Sequence, residues 1–141
     1  MKKNNFSEKG FDEMQILARG KGFKFAYLTA IIVLAVLTCL DELSKYVNPF
    51  SEFVITTWAS ITVFSIYTIT HNAYDRINDT KTGKVVFSIF GITGIAVLAI
   101  SLIRMSDLKE NLLSHISVGI FLIINCAVYF IYHFVHNDNE D

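Results

Sequence analysis

The sequence contains few cysteines and prolines and none of the common catalytic motifs. Its 141 residues include one proline and two cysteines, and Cys39 and Cys126 lie in different apolar segments. Such spacing provides neither a disulfide framework nor a CxxC redox pair. The chain also has no GxSxG, HExxH or phosphate-loop motif. We therefore expect a noncatalytic protein without a cofactor, and the net charge of -1 gives no basis for binding nucleic acid.

Charged residues are almost absent from four long stretches, although 18% of all residues are charged. Hydrophobic residues make up 52% of the chain, and the mean hydropathy is +0.45, which is too apolar for an ordinary soluble domain. At about 1.5 Å per residue, each stretch can cross a hydrocarbon core of roughly 30 Å. The sequence predicts an all-α bundle of four transmembrane helices in a lipid bilayer, at 23–42, 52–71, 85–104 and 114–135.

The segment before the first predicted span has two parts. Residues 1–10 are polar, and we expect them to be disordered because they offer nothing to bury. Residues 11–22 have apolar side chains at helical spacing and basic side chains near their end, which predicts a short amphipathic helix in the headgroup layer. Gly20 and Gly22 favour a bend before the first span, but the segment can also simply extend that span.

A polar loop from His71 to Lys84 divides the chain into two hydrophobic hairpins. This loop and the segment before the first span contain nine of the twelve lysines and arginines, and the two other loops contain three. Because loops rich in lysine and arginine stay in the cytoplasm, the count predicts that both termini are cytoplasmic. The acidic tail 137–141 has little weight in this rule.

Small and polar residues within the spans indicate where helices pack together. Gly91 and Gly94, with Ala99, form a small-residue face on the third span that allows close approach of another helix. Asn125 lies about ten residues into the fourth span, so it is roughly 15 Å deep, where its carboxamide needs a partner. Ser60 or Thr57 on the second span, or the backbone exposed at Gly94 of the third span, is expected to supply that partner. We predict structural hydrogen bonding that pins the bundle or a dimer.

Histidines are the only candidate metal ligands. His71, His133 and His136 are expected at the same membrane surface, with Asp75 one turn beyond His71. His133 and His136 share a helix face, so a third ligand from a neighbouring helix would complete a metal site. A histidine at a membrane interface needs no function, however, and we prefer that interpretation. No acidic residue lies deep in any span, which argues against a proton-coupled exporter.

Two stretches resemble a known set of proteins. Asp12-Glu13-Met14-Gln15 with Arg19-Gly20-Lys21-Gly22-Phe23, and Asn72-Ala73-Tyr74 in the central loop, are similar to the corresponding parts of uncharacterised small multi-pass membrane proteins of Gram-positive bacteria. The resemblance implies a bacterial plasma membrane location and no activity. We expect both stretches to form one cytoplasmic surface, in which Asp12 or Glu13 pairs with Arg76 or Lys81. The residues of this predicted surface are Asp12, Glu13, Arg19, Lys21, Tyr74 and Arg76.

These observations favour a noncatalytic membrane protein whose cytoplasmic face binds a protein partner, as a regulatory or accessory subunit. The alternative is a small transporter or immunity-type protein that binds an amphiphile within the bundle, through Asn125 and the hydroxyl groups of the second span. A homo-oligomer is compatible with either hypothesis. A third hypothesis, a metal-dependent membrane enzyme or haem protein, depends on the histidines alone.

Overall fold

The computed structural model describes residues 12–44, 48–75, 80–104 and 111–137, with the backbone alone at 41–44, 80, 136 and 137. All regular structure in these ranges is α-helical. Each of the four helices contains a window long and apolar enough to cross a bilayer. The predicted all-α four-helix bundle is confirmed, and the chain is a multi-pass membrane protein. The helices are α1 (Glu13–Ser44), α2 (Pro49–Thr70), α3 (Thr80–Ile103) and α4 (Leu112–Asn137).

The helix α1 is continuous through both of its glycines. The segment predicted as a separate interfacial helix is therefore the first part of α1, as the alternative interpretation had it. Gly22 is buried against α2, where a Cβ atom would lie 3.2 Å from Phe64 and 3.3 Å from Tyr67. Close packing between the two helices thus accounts for this glycine without a bend, and it offsets the cost of about 1 kcal/mol that glycine brings to a helix interior.

Polar side chains begin the first two helices. Asp12 accepts from the Gln15 backbone N–H at 2.7 Å, and the Gln15 side chain accepts from the Asp12 N–H at 3.2 Å, which is a reciprocal capping box. Asn48 caps α2 by accepting from the Ser51 N–H at 2.7 Å. Its Nδ2 atom also donates to Asn111 Oδ1 at 3.1 Å. This last bond ties the turn of the first hairpin to that of the second.

The helices contact one another in the order α1, α2, α4, α3. Both central helices, α2 and α4, run in the same direction, and among the described residues α1 and α3 do not contact each other. The outer helices expose large apolar side chains, such as Ile32 (54% exposed) on α1 and Ile92 (70% exposed) on α3. Because the hydrocarbon core of a bilayer is as apolar as these side chains, we assign them to lipid.

Glycines bring α3 against α4. Gly91 and Gly94 are buried, and a Cβ atom on Gly94 would lie 2.9 Å from the carbonyl oxygen of Gly119 in α4. Ala99, which the sequence placed on this face, is exposed. The helical repeat instead carries the packed stripe to Ser101, which is 1% exposed.

Asn125 joins α4 to α2 at mid-depth. Its Nδ2 atom donates to Thr62 Oγ1 at 2.8 Å and to the Phe121 carbonyl at 2.7 Å. The expected partner Ser60 instead donates to the Thr56 carbonyl of its own helix, at 2.7 Å. The prediction of Ser60 was wrong because the level of a residue within the bundle depends on where its helix begins, and α2 begins at Pro49. Counted from the first residue of each helix, Thr62 is the α2 residue level with Asn125.

Candidate functional site at the junction end

We define the junction end of the bundle as the end at which α1 begins, α2 is followed by the central loop, and α4 finishes. The loop leaves α2 through a tight turn, in which the Asn72 N–H donates to Ile69 O at 3.1 Å and the Ala73 N–H donates to Thr68 O at 2.7 Å. Asn72 has a φ angle of 51°, a left-handed conformation that asparagine tolerates better than most residues. Ala73 is fully buried, so the turn directs the chain back into the bundle.

The first turns of α1 hold this loop by its backbone. Gln15 Nε2 donates to the carbonyl oxygens of Asn72 at 2.5 Å and Asp75 at 3.3 Å. One turn further along α1, Arg19 Nε donates to the Ala73 carbonyl at 2.9 Å. These three bonds join segments that are more than fifty residues apart in sequence. The start of α1 and the described part of the central loop therefore form one structural unit.

The predicted pairing of Asp12 or Glu13 with Arg76 or Lys81 stays a prediction. Asp12 uses its carboxylate to cap α1, and Glu13 and Lys21 are exposed. Lys81 is also exposed on the first turn of α3. Arg76 lies outside the described residues. Gln15 and Arg19 of α1 contact the loop through backbone carbonyls that follow α2, which ends at Thr70. Such carbonyls belong to no helix, so they need hydrogen-bond donors from elsewhere in the chain or from water.

Asp75 connects the loop to α4. Its Oδ2 atom accepts a hydrogen bond from the Tyr129 hydroxyl at 2.9 Å and lies 3.3 Å from His133 Nε2. Tyr129 is fully buried, and its ring stacks on Phe87 of α3 with centroids 4.2 Å apart. When His133 is protonated, its contact with Asp75 is an ion pair. The carboxylate therefore links the central loop to α4, and through Tyr129 to α3.

Gly83 makes room for this carboxylate. It is buried in the first turn of α3, and a Cβ atom there would collide with the Asp75 carboxylate and the Tyr129 hydroxyl. No side chain larger than hydrogen fits unless both groups move or α3 shifts. Glycine at position 83 therefore allows the first turn of α3 to approach the Asp75 carboxylate and the Tyr129 hydroxyl closely.

Tyr74 packs inward beside the Asp75 cluster. Its ring centroid lies 4.8 Å from that of Phe87 and 6.4 Å from that of Tyr129. Burial raises the pKa of Tyr74, and the adjacent Asp75 carboxylate raises it further, whereas Arg19 acts in the opposite direction. The Tyr74 hydroxyl is therefore neutral, and its ring belongs to an aromatic cluster with Phe87 and Tyr129. This packing is compatible with a role as an aromatic anchor at the membrane surface.

A small cavity lies beside the Asp75 carboxylate. Its volume is about 170 Å³, which is the space of a few water molecules at about 30 Å³ each. Both hydrogen-bonding and aromatic side chains face it, together with one aliphatic residue. The lining residues are Gln15, Ile69, Asn72, Tyr74, Asp75, Tyr129, Tyr132 and His133.

The candidate metal ligands occupy different surroundings. His71 is exposed, and its ring stacks on Tyr67 at 4.1 Å while Nδ1 lies 2.8 Å from the Tyr67 carbonyl. His133 instead faces Asp75, and the side chain of His136 lies outside the description. Within residues 12–44, 48–75, 80–104 and 111–137, no three His, Cys, Asp or Glu side chains are placed to hold a metal. The described residues therefore do not form the metal site that the histidines suggested.

Three residues of the junction end were missed by sequence reasoning. Gln15 had a readable signal, because Asp12-x-x-Gln15 has the spacing of a capping box. Gly83 and Tyr129 had none, since each owes its role to Asp75, which meets them only in the folded chain.

Comparison with known proteins adds no relative. No protein-family model, curated protein or solved structure matches this chain. The resemblance to small multi-pass membrane proteins of Gram-positive bacteria therefore stays a prediction.

Proposed function

We propose that this membrane protein is noncatalytic and binds a protein partner in the cytoplasm through its junction end, as a regulatory or accessory subunit. The observation that supports the proposal most is the attachment of the central loop to α1 by Gln15 and Arg19. A loop held by its backbone has already lost much of the conformational entropy that binding would otherwise cost. The junction end is thus suited to recognition.

The exposed side chains of the junction end have the polarity of a protein-binding surface. Asp12 and Glu13 lie at the start of α1, Asn72 lies on the loop, and Lys81 lies at the start of α3. Both charge signs are present, which suits a partner with complementary charges better than a purely anionic or cationic ligand. We refer to these four residues as the junction surface.

The cytoplasmic placement and the membrane are part of the same proposal. Nine of the twelve lysines and arginines belong to the segments of the junction end, including those outside the described residues, and such a bias favours the cytoplasmic side. The resemblance noted above points to a bacterial plasma membrane. A subunit of this kind would have its four spans in the lipid bilayer and its recognition surface inside the cell.

Photo-cross-linking in living cells tests the proposal. A photoreactive amino acid is placed at Glu13 or at Lys81, both on the junction surface, and at His115, which is exposed at the opposite end. We expect Glu13 and Lys81 to capture the same partner polypeptide at native expression, and His115 to capture none of it. Mass spectrometry identifies the product and its site.

A second arm of this experiment asks whether the loop must be held in place. Gln15→Ala removes the bonds to Asn72 and Asp75, together with the capping bond from the Asp12 N–H, and is expected to lower capture at Lys81 several-fold. Leu17→Ala is the control, because Leu17 is 62% exposed on the same helix. Equal capture from His115, or no common partner at Glu13 and Lys81, would contradict the proposal.

A further inference from the structure

A groove lies between α1 and α2 near the junction end of the bundle. Its volume is about 470 Å³. Phe25 and Tyr67 form one part of its wall, with ring centroids 5.1 Å apart. The lining residues are Lys21, Lys24, Phe25, Leu28 and Tyr67.

The groove is cationic at one end and apolar at the other. Lys21 and Lys24 are three residues apart on α1, so their side chains lie on neighbouring parts of one helix face. Phe25 and Leu28 follow Lys21 by one and two turns, deeper along the span. All four side chains are exposed, and the order along α1 is therefore charge at the membrane surface and hydrocarbon below it.

This order matches the chemistry of an anionic phospholipid. A lysine ammonium attracts a phosphate group as a compact point charge. Basic residues beside a membrane span attract the headgroups of an anionic leaflet, and the acyl chain of a lipid would lie along the apolar part. Free phosphate would use only the lysines and would leave the apolar part empty.

We infer that the groove binds one anionic phospholipid, with its phosphate at Lys21 and Lys24 and an acyl chain along Phe25 and Leu28. The bound lipid lies against the same helix that holds the central loop through Gln15 and Arg19. It therefore stabilises the part of α1 on which the arrangement of the junction end depends. The inference does not rest on the existence of a protein partner.

Native mass spectrometry of the purified full-length chain tests the inference. The protein is mixed with equal amounts of phosphatidylglycerol and phosphatidylcholine of identical acyl chains. We expect one phosphatidylglycerol to be retained per chain in preference to phosphatidylcholine. Lys21→Gln with Lys24→Gln is expected to weaken that retention about tenfold or more, since it removes two basic contacts.

Lys81 and Lys84 provide a matched control. They have the same spacing and are exposed at the same end of the bundle, but they lie on α3, which contacts neither α1 nor α2 among the described residues. Lys81→Gln with Lys84→Gln is expected to leave the retained phosphatidylglycerol unchanged. Equal losses in the two double variants would show diffuse attraction to basic charge and would overturn the inference, as would no loss in either.

A competition arm separates a lipid from a free phosphate. Glycerol 3-phosphate carries an anionic headgroup without acyl chains. We expect it to leave bound phosphatidylglycerol in place at equal concentration, because it cannot occupy the apolar part of the groove. Displacement by glycerol 3-phosphate at that concentration would assign the site to phosphate alone and would contradict a lipid site. Unchanged helical circular dichroism confirms that each variant is folded.

Discussion

Replacing Gly83 with alanine is expected to lower the free energy of unfolding by about 1–3 kcal/mol, the range for adding atoms to a filled site. The new methyl group would occupy the space of the Asp75 carboxylate and the Tyr129 hydroxyl. Either the hydrogen bond between these groups breaks, or α3 moves away from the loop. Denaturant titration of the purified protein in detergent micelles, followed by circular dichroism, measures the change.

Gly20 is the matched control for this substitution. It is also a helical glycine at the junction end, but a Cβ atom there would meet nothing within 4 Å. Gly20→Ala is therefore expected to be neutral or to stabilise α1 by up to about 1 kcal/mol, the difference in helix propensity. If Gly83→Ala were as well tolerated as Gly20→Ala, the arrangement around Asp75 would be wrong.

Gly94→Leu is expected to separate α3 from α4 and to lower the free energy of unfolding by about 1–3 kcal/mol or more. A Cβ atom would meet the Ile123 side chain and the backbone carbonyl of Gly119, each at 2.9 Å, and the carbonyl cannot rotate aside as a side chain can. Helices in a bilayer associate chiefly through such close packing, so the loss is direct. The fraction folded during titration with sodium dodecyl sulfate reports it.

Three further substitutions make this prediction specific. Gly91→Ala is expected to cost less than Gly94→Ala, because its Cβ atom would meet the Cys126 sulfur, which belongs to a side chain. Ala96→Leu is expected to have little effect, since Ala96 is exposed on the outer side of α3. A larger loss for Ala96→Leu than for Gly94→Leu would contradict the packing of α3 on α4.

The junction end couples parts of the molecule that the covalent chain keeps apart. Gln15 and Arg19 of α1 hold the backbone of the loop, and Asp75 in the same loop contacts Tyr129 and His133 of α4. A displacement of the first turns of α1 would therefore change the position of the carboxylate. This is a physical route by which a partner bound to the junction surface would affect α4.

The four helices were predictable because each is a long apolar segment bounded by charge or polar loops, and the bilayer selects for length and hydropathy alone. The close approach at Gly91 and Gly94 was also predictable, because absent side chains at helical spacing have one common use in membranes. Ala99 was wrongly assigned to this packed face, because helical spacing was the only basis for the assignment. Its spacing fits the glycine face loosely, and only the position of α4 shows that the face continues to Ser101.

The order in which the helices pack could not be predicted from the sequence. Adjacent helices within a hairpin are expected to pack together, but nothing in the loops says that α2 contacts α4 while α1 and α3 remain outside. That order determines the partner of Asn125, since α2 brings the Thr62 hydroxyl group to its side chain. It also determines the surroundings of the Asp75 carboxylate, which contacts Tyr129 and His133 of α4.

Every function proposed for the junction surface requires that surface to lie in the cytoplasm, and labelling in intact cells tests this most directly. Single cysteines are introduced as Glu13→Cys, Lys81→Cys or His115→Cys in a chain lacking Cys39 and Cys126, and a membrane-impermeant maleimide is added. We expect His115→Cys to react in intact cells, and Glu13→Cys and Lys81→Cys to react only after lysis. Reaction of Glu13→Cys and Lys81→Cys in intact cells, with His115→Cys protected, would place the junction surface outside and contradict the account.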